Sequence, residues 1–404
     1  MDYRSQLIGL SSICAILTGL ACNVAGTAGT SAPADARIVF LGDSITDGNT
    51  YPLVVQQAIR EAGLPVPQCF NAGIGGDTSE GMVKRLDRDV FRHQPTLVTI
   101  SAGVNDRLAA DVFAKNITTI VDAVQARGAE AVLLTTSIQK DKSPETQKRL
   151  DGYNQIIRDL AEKRHLRLAE VYRLMDAQPD AVASQMTEDG IHPNFVGQRT
   201  IATAVLAALG HASLPVPPAL KLQVFPGVVR QWHMRPAKAN EPSLTDALAA
   251  GFSLEGCTAT INIPGDSPAG DPSTWTVQER QCGFATDLDK QVGPGDRFFG
   301  LASVKAAHAT PAILNTGAGL KTVYLNGQRI YTSAAWTGWH AFKEQIPVSL
   351  VEGENKLVIE SGTAFFLSIT DAKGKEVVAM APVYPADIPD VMHDGTGSAS
   401  GPSR

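Results

Sequence analysis

The fold of the first half of the chain is decided by the stretch Ile38-Val39-Phe40-Leu41-Gly42-Asp43-Ser44-Ile45-Thr46. A short apolar run, rich in β-branched residues, ends in Gly-Asp-Ser and then turns polar. This pattern predicts a buried parallel strand whose carboxyl end opens onto a tight turn. Ligands and catalytic side chains gather at that end of the strands in open α/β sheets. The sequence therefore predicts that the hydroxyl of Ser44 is exposed in this turn, ahead of a helix over residues 51–63.

Strand-like and helix-like segments alternate through this half of the chain. The apolar patterns predict strands over residues 37–41, 68–71, 96–101, 130–136 and 166–171. Between them, helices are predicted over residues 79–94, 111–127 and 143–164, with a further helix over 197–209. Strands that alternate with helices of this length indicate a parallel sheet covered on both faces.

Three further polar motifs accompany Gly-Asp-Ser. They are Asn71-Ala72-Gly73-Ile74-Gly75-Gly76-Asp77-Thr78-Ser79, Ser101-Ala102-Gly103-Val104-Asn105-Asp106 and Asp189-Gly190-Ile191-His192-Pro193-Asn194. With Gly42-Asp43-Ser44-Ile45-Thr46, these motifs resemble the SGNH (GDSL-type) hydrolase family in their order and spacing. The resemblance covers residues 37–211, about half of the chain. It implies a flavodoxin-like three-layer α/β/α fold and the chemistry of a serine esterase.

The resemblance also implies a role for each site residue. Ser44 would be the nucleophile, and Asp189 with His192 would complete the triad. The backbone N–H groups of Ser44 and Gly76 and the side-chain amide of Asn105 would form the oxyanion hole. Independent physical reasons agree, because a serine hydroxyl needs an adjacent base and a histidine base needs an acceptor to fix its tautomer. Since Asp189 and His192 are three residues apart, one turn of backbone can bring them together.

Each motif also has a structural interpretation. The glycines at 73–76 could form a phosphate loop, but Thr78 breaks the G-x-G-x-x-G pattern and no Walker lysine follows. Asn105-Asp106 alone is typical of a turn that caps a helix. The other histidines of this half, His93, His165 and His211, are predicted to be solvated residues at helix ends.

Composition sets the broad class of the protein. At 404 residues, the chain is long enough for two domains with tails. Its formal net charge of −6 and the lack of a lysine- and arginine-rich run argue against a nucleic-acid partner. No C-x-x-C spacing indicates zinc or redox chemistry, so no cofactor or metal is expected.

The N-terminal residues 1–36 are predicted to be a signal peptide and leader. Residues 7–21 are mostly apolar but too short to span a bilayer, which takes about 20 residues, and small residues follow. Leu17-Thr18-Gly19-Leu20-Ala21-Cys22 only weakly resembles a lipoprotein box. We therefore expect a secreted or periplasmic protein without a stable membrane span, soluble rather than lipid-anchored.

The character of the sequence changes after the SGNH-like region, predicted over residues 37–212. Residues 213–218 are predicted to be a stiff proline-rich linker, residues 219–384 an all-β sandwich, and residues 385–404 a disordered tail. Short alternating segments over 321–325, 328–332, 345–350, 355–359 and 365–370, separated by turn residues, indicate antiparallel strands. The segment Val323-Tyr324-Leu325-Asn326-Gly327-Gln328, the segment from Trp336 to His340, and Leu350-Val351-Glu352-Gly353-Glu354-Asn355-Lys356-Leu357 together resemble parts of a jelly-roll, galactose-binding-like module.

The tryptophans and cysteines of this second half leave alternatives open. Trp336 and Trp339 are candidates for stacking on sugar rings, as are Trp232 and Trp275, but all four could equally fill the sandwich core or the domain interface. Export permits a disulfide between Cys257 and Cys282, whereas Cys69 is expected to be a buried thiol.

Together these features predict an exported serine esterase that acts on acyl esters, especially acetyl esters, of carbohydrates. A small-molecule or glycan ester is then the expected partner, and the oligomeric state is open. Two alternatives remain: a lipid or thioester hydrolase of the lysophospholipase kind, and a glycan-binding scaffold whose esterase domain is inactive.

Overall fold

A five-stranded parallel sheet forms the centre of the first half of the protein. The computed structural model describes residues 36–221, 225–245, 257–263, 283–333, 338 and 340–381. The sheet has the strand order β2-β1-β3-β4-β5. Its strands are β1 (Arg37–Gly42), β2 (Gln68–Gly73), β3 (Leu97–Ser101), β4 (Glu130–Leu134) and β5 (Arg167–Ala169). All four pairings are parallel, as the sequence predicts, and the order is the flavodoxin-like one.

Helices cover both faces of this sheet, which makes the three-layer fold. They are α1 (Ser44–Asp47), α2 (Thr50–Glu61), α3 (Ser79–Lys84), α4 (Leu86–Asp89), α5 (Ala110–Ala126), α6 (Pro144–Arg164), α7 (Val171–Asp176), α8 (Ala181–Gln185) and α9 (Phe195–Ala208). Because successive strand residues face opposite sides, β1 serves two separate cores. Ile38 and Phe40 pack with α2 and α9, whereas Val39 and Leu41 pack with α5 and α6.

The structure corrects the predicted helix over residues 79–94. That segment is broken into α3, α4 and a 3₁₀ turn at Phe91–His93. The break falls at Arg85, whose backbone is not helical (φ −116°, ψ 10°) and whose guanidinium is buried under the ends of β1 and β2. The polar contacts of this side chain therefore override the helical pattern.

The burial of three further side chains, those of His93, His211 and Cys69, differs from the prediction. His93 is buried and stacks on Phe70 at 4.3 Å between ring centroids, and His211 is also buried, so only His165 is a solvated helix-end residue. Cys69 is a half-buried free thiol.

Residues 213–218 do not form a free spacer. The Arg199 guanidinium donates to the carbonyls of Val216 and Pro217, and Leu220 is buried in the core formed with α2 and α9. The segment predicted to be a linker therefore packs against the region of residues 36–221, called the α/β region below.

An antiparallel sheet forms the described part of residues 225–381, called the β region below. The order is β10-β9-β12-β8-β6-β7, with β11 paired to β9 and β13 to β8. The strands are β6 (Gln231–Pro236), β7 (Ala259–Asn262), β8 (Phe298–Ala306), β9 (Thr310–Leu325), β10 (Gln328–Thr332), β11 (Gln345–Leu350), β12 (Gly353–Thr370) and β13 (Val378–Ala381), and α10 (Leu288–Gln291) lies between β7 and β8. The all-β class of this half is confirmed, while its jelly-roll topology stays a prediction.

Two features of the β region differ from expectation. The segments 355–359 and 365–370, predicted as separate strands, belong to the single strand β12, whose register shifts between Glu360 and Ser361 and between Ser361 and Phe365. Residues 321–325 likewise form the end of the longer strand β9.

The tryptophan and cysteine alternatives are partly resolved. Trp232 is fully buried, and its indole N–H donates to the Val229 carbonyl at 2.7 Å, so it fills the core. Cys257 is a free, buried thiol that contacts the Phe299 carbonyl, so it does not form the disulfide considered from the sequence. The other residues of these predictions, Trp275, Trp336, Trp339 and Cys282, lie outside the described residues, as do residues 1–35 of the leader and the whole tail. Among the helices that the structure describes, none is both long and apolar enough to cross a membrane.

Candidate active site

Ser44 lies in a tight turn between β1 and α1, at the carboxyl edge of the sheet. Asp43 is the N-cap of α1, and its Oδ1 accepts a hydrogen bond from the Ile45 amide at 3.0 Å. A Cβ at Gly42 would lie 2.0 Å from Thr46 Oγ1, so the turn requires glycine at this position. Ser44 is only partly buried, at the N-terminus of α1. The strand and the cap together hold its hydroxyl at an accessible place.

His192 contacts Ser44 directly. Its Nε2 is 2.8 Å from Ser44 Oγ, and its Nδ1 is 2.6 Å from Asp189 Oδ2. The three side chains thus form one line of hydrogen bonds. Ser44 and His192 are 148 positions apart in sequence, whereas Asp189 and His192 are three positions apart. They meet because Ser44 follows the end of β1, and the turn that carries Asp189 and His192 lies just before α9.

The turn that carries His192 is organised around Asp189. Asp189 Oδ1 accepts from the amides of Ile191 and His192 at 2.8 and 2.9 Å and from Thr187 Oγ1 at 2.8 Å. Gly190 has φ 70°, the left-handed conformation that the turn needs. One carboxylate oxygen therefore fixes the turn, and the other faces the imidazole.

The electrostatics of Asp189 favour its ionised form. Partial desolvation raises the pKa of this carboxyl, but the hydrogen bonds from the amide and ring of His192, the Ile191 amide and the Thr187 hydroxyl lower it by more. The net result is a pKa well below the ordinary value of an aspartate. Asp189 is therefore an acceptor at every pH at which a histidine can be neutral.

The last residue of β2 and the loop after it, residues 73–76, are called the glycine loop below. Gly76 has φ 76°, and a Cβ built on it would contact nothing within 4 Å, so the backbone conformation rather than space favours glycine there. Asn105, which follows β3, donates from Nδ2 to the Asp77 carbonyl at 3.0 Å. Within the part of the chain that the structure describes, the amides of Ser44 and Gly76 donate to no protein acceptor. Ser44, Gly76 and Asn105 thus follow three adjacent strands at one edge of the sheet.

Asp106, the neighbour of Asn105, is a buried residue that supports this edge. Its carboxylate accepts from the Ser79 amide and hydroxyl and from the Gly103 amide. Burial raises its pKa despite these bonds. Asp106 therefore does not cap the next helix, α5, whose N-cap is Ala109. It instead accepts from the first residue of α3, while Asn105 donates to the carbonyl of Asp77, directly after the glycine loop.

Asp43 and Arg85 are two further buried ionisable residues to which the sequence analysis assigned no role. Burial is the main reason that the pKa of Asp43 rises to about 7; the Ile45 amide and His192 oppose the shift, and Asp77 and Asp106 add to it. Arg85 donates to the carbonyls of Gly42 and Ala72 and to Asp77, and so joins the ends of β1 and β2. Asp43 lies within the Gly-Asp-Ser motif, but only the fold shows the partners of Arg85.

Known proteins resemble the α/β region in sequence. The model of the GDSL-like Lipase/Acylhydrolase family matches residues 40–200. The matched residues all lie within the α/β region. An arylesterase of Vibrio mimicus is 28% identical over 187 residues, which cover 44% of this chain and 89% of that protein. An acetylxylan esterase of Geobacillus stearothermophilus is 24% identical over 208 residues, which cover 43% of this chain and 94% of that protein.

A solved structure matches a similar share of the chain. The lipase/acylhydrolase from Enterococcus faecalis is 24% identical and covers 46% of this chain and 100% of its own, with a TM-score of 0.41. Each of these matches covers less than half of the chain.

Proposed function

We propose that this protein is an exported serine esterase that removes acyl groups, chiefly acetyl, from carbohydrate esters. The observation that carries the proposal is the continuous line of hydrogen bonds from Asp189 through His192 to Ser44 Oγ. The match of the α/β region to the GDSL-like family model, and similarity to relatives named as esterases, support ester hydrolysis.

The geometry supports an acyl-enzyme mechanism. His192 Nε2 takes the proton of Ser44 Oγ as the oxygen attacks the ester carbonyl, which gives a tetrahedral intermediate. The Ser44 and Gly76 amides and the Asn105 side chain supply hydrogen bonds to its oxyanion. His192 then returns the proton to the leaving alkoxide, the acyl-enzyme forms on Ser44, and water activated by the same imidazole hydrolyses it.

Asp189 has a specific part in this mechanism. Because its ionised Oδ2 accepts from His192 Nδ1, the imidazole carries its proton on Nδ1 and leaves Nε2 free to act as the base. The same contact stabilises the imidazolium that forms during attack. Its other oxygen holds the turn, so the ring has one orientation.

The finer parts of the proposal concern substrate and location. The relative named acetylxylan esterase supports acetylated carbohydrate as the substrate class. The apolar leader supports export, and Trp336 and Trp339 remain the candidates for sugar contact. The domain boundaries predicted from the sequence, with a hydrolase domain over residues 37–212 and a second domain over 219–384, are part of this proposal.

A substrate panel tests the proposal and its alternatives. We expect the purified protein to hydrolyse p-nitrophenyl acetate and acetylated xylo-oligosaccharides, with rates that fall as the acyl chain lengthens to octanoate and palmitate. Ser44→Ala should lose nearly all activity at an unchanged circular-dichroism spectrum. Faster hydrolysis of long acyl chains or acyl thioesters would favour the lipid and thioester alternative instead. If the folded protein hydrolysed no ester at all, the glycan-binding scaffold would be the remaining interpretation.

A further inference from the structure

The β region makes a buried polar contact with the nucleophile helix. His340 Nδ1 lies 3.3 Å from Asp47 Oδ1, although the two residues are 293 positions apart. Their side chains are only 6% and 3% exposed. Asp47 is the last residue of α1, the one-turn helix that begins at Ser44. A residue of the β region therefore contacts the element that carries the proposed nucleophile.

The second oxygen of Asp47 holds the glycine loop. Asp47 Oδ2 accepts from the Gly75 amide at 3.0 Å, and Gly75 directly precedes the proposed oxyanion donor Gly76. A buried carboxylate is costly unless hydrogen-bond donors surround it. Asp47 thus joins His340 on one side to the glycine loop on the other.

Three backbone segments pack here without space for side chains. A Cβ at Gly73 would lie 2.2 Å from the Asp47 nitrogen. A Cβ at Gly338 would lie 2.7 Å from the Gly73 carbonyl oxygen and 2.9 Å from Asp47 Oδ1. Gly338 also has φ 101°, which L side chains rarely adopt. The segment that carries His340 is therefore fitted closely against α1 and the glycine loop.

We propose that His340 is a positioning residue for ester hydrolysis. It donates from Nδ1 to Asp47 and so holds Asp47 where it fixes the Gly75 amide and aims the Gly76 amide at the oxyanion. The β region then completes the active-site scaffold, in addition to any contact it makes with sugar. This inference rests on the proposed function, because it takes the glycine loop to be part of the oxyanion hole.

The expected effect is on turnover more than on substrate affinity. Removing one oxyanion donor outright costs about 10²–10³ in rate, so a displaced donor should cost about 10- to 100-fold. A donor used mainly in the transition state changes kcat with little change in KM. His340→Ala should therefore lower kcat on p-nitrophenyl acetate by about 10- to 100-fold.

The full-length chain offers both a rescue variant and a matched control. In His340→Asn, the side-chain amide can donate to Asp47 from nearly the position of Nδ1, so we expect kcat to recover most of the loss. Glu344→Gln removes an ion pair with Arg92 that joins the same two regions near His340. We expect it to lower the thermal midpoint at most, with kcat within about twofold of the parent. Gly338→Ala, which presses on Gly73 and Asp47, should lower kcat as His340→Ala does.

Two readouts separate positioning from general stability. Steady-state kinetics gives kcat and KM, and the rate of phosphorylation of Ser44 by paraoxon reports the oxyanion hole without turnover of an ester. Both rates should fall together in His340→Ala and recover in His340→Asn. The inference would be overturned if His340→Asn lost as much kcat as His340→Ala, or if Glu344→Gln did. A folded His340→Ala variant with the kcat of the parent would also overturn it.

The outcomes remain distinct if one variant fails or if the proposed function is wrong. If His340→Ala gives no folded protein, the kcat of His340→Asn and Gly338→Ala decides, and parental kcat in Gly338→Ala refutes the inference. A parent that hydrolyses no ester, or a Ser44→Ala variant as active as the parent, refutes the proposed function itself. Ser44-dependent activity that His340 and Gly338 do not affect refutes only the positioning role.

Discussion

Replacing Asp189 by asparagine should abolish most activity while it preserves the turn around His192. Three donors converge on Oδ1, so the amide oxygen of the introduced asparagine must take that position. The amide nitrogen then faces His192 Nδ1 and donates to it. The imidazole proton moves to Nε2, where it points at Ser44 Oγ, so that Nε2 cannot accept the proton of the serine.

The magnitude follows from the loss of the correct tautomer. The same change in serine-protease triads costs about 10⁴ in kcat, which is about 5.4 kcal/mol of transition-state stabilisation. We expect a loss of that order in kcat for p-nitrophenyl acetate, with KM and the circular-dichroism spectrum nearly unchanged. Thr187→Val is the matched control, because it removes one donor to Oδ1 and leaves Oδ2 on the imidazole. It should cost less than about tenfold.

A kcat for Asp189→Asn within about tenfold of the parent would refute this reasoning. It would mean that another acceptor orients His192 in solution. A loss in Thr187→Val as large as that in Asp189→Asn would also refute it, because the turn rather than the tautomer would then be decisive.

Two further predictions concern Asn105 and Asp43. Asn105→Ala should lower kcat by about 10²–10³ with little change in KM, measured on p-nitrophenyl acetate; a change in KM alone would remove Asn105 from the oxyanion hole. Asp43 has a folded pKa of about 7, raised from 3.8 by burial, so its contribution to the free energy of unfolding is fully present below about pH 4 and is lost as pH rises through about 7. Asp43→Asn keeps the cap acceptor but cannot titrate, so the parent should lose up to about 4 kcal/mol relative to this variant between about pH 4 and pH 7.5 in urea unfolding. Comparing the two proteins cancels the titration of His93, which both retain, and a difference independent of pH would contradict the prediction.

The sequence predicts the α/β region well because its signals are local. The apolar run before Gly42-Asp43-Ser44 and the β-branched runs that follow give all five strands to within a few residues. The motifs that end β1, β2 and β3 must meet at one edge of a parallel sheet, so the proximity of Ser44, Gly76 and Asn105 follows from their positions. Asp189 and His192 are close in sequence, and their contact follows from one turn.

What the sequence does not predict depends on partners distant in the chain. The helical pattern over residues 79–94 gives no sign that Arg85 has its acceptors at Gly42 and Ala72. In the sequence, His93 has the pattern of a polar residue at a helix end, but in the fold its ring stacks on Phe70. The contact of His340 with Asp47 joins the β region to the α/β region, and no periodicity or motif in the sequence predicts it. In each case the tertiary packing supplies information that local patterns lack.

The most direct test of the central claim is covalent labelling of Ser44. Paraoxon transfers its diethylphosphoryl group to an activated serine, and peptide mass spectrometry locates the adduct. We predict one group per chain, on the peptide that contains Ser44, with loss of activity in parallel. Ser44→Ala should take up none, and His192→Ala should react at least about 10²-fold more slowly because the hydroxyl has lost its base. Stoichiometric labelling at another serine, or full esterase activity in Ser44→Ala, would contradict the assignment of Ser44 as the nucleophile.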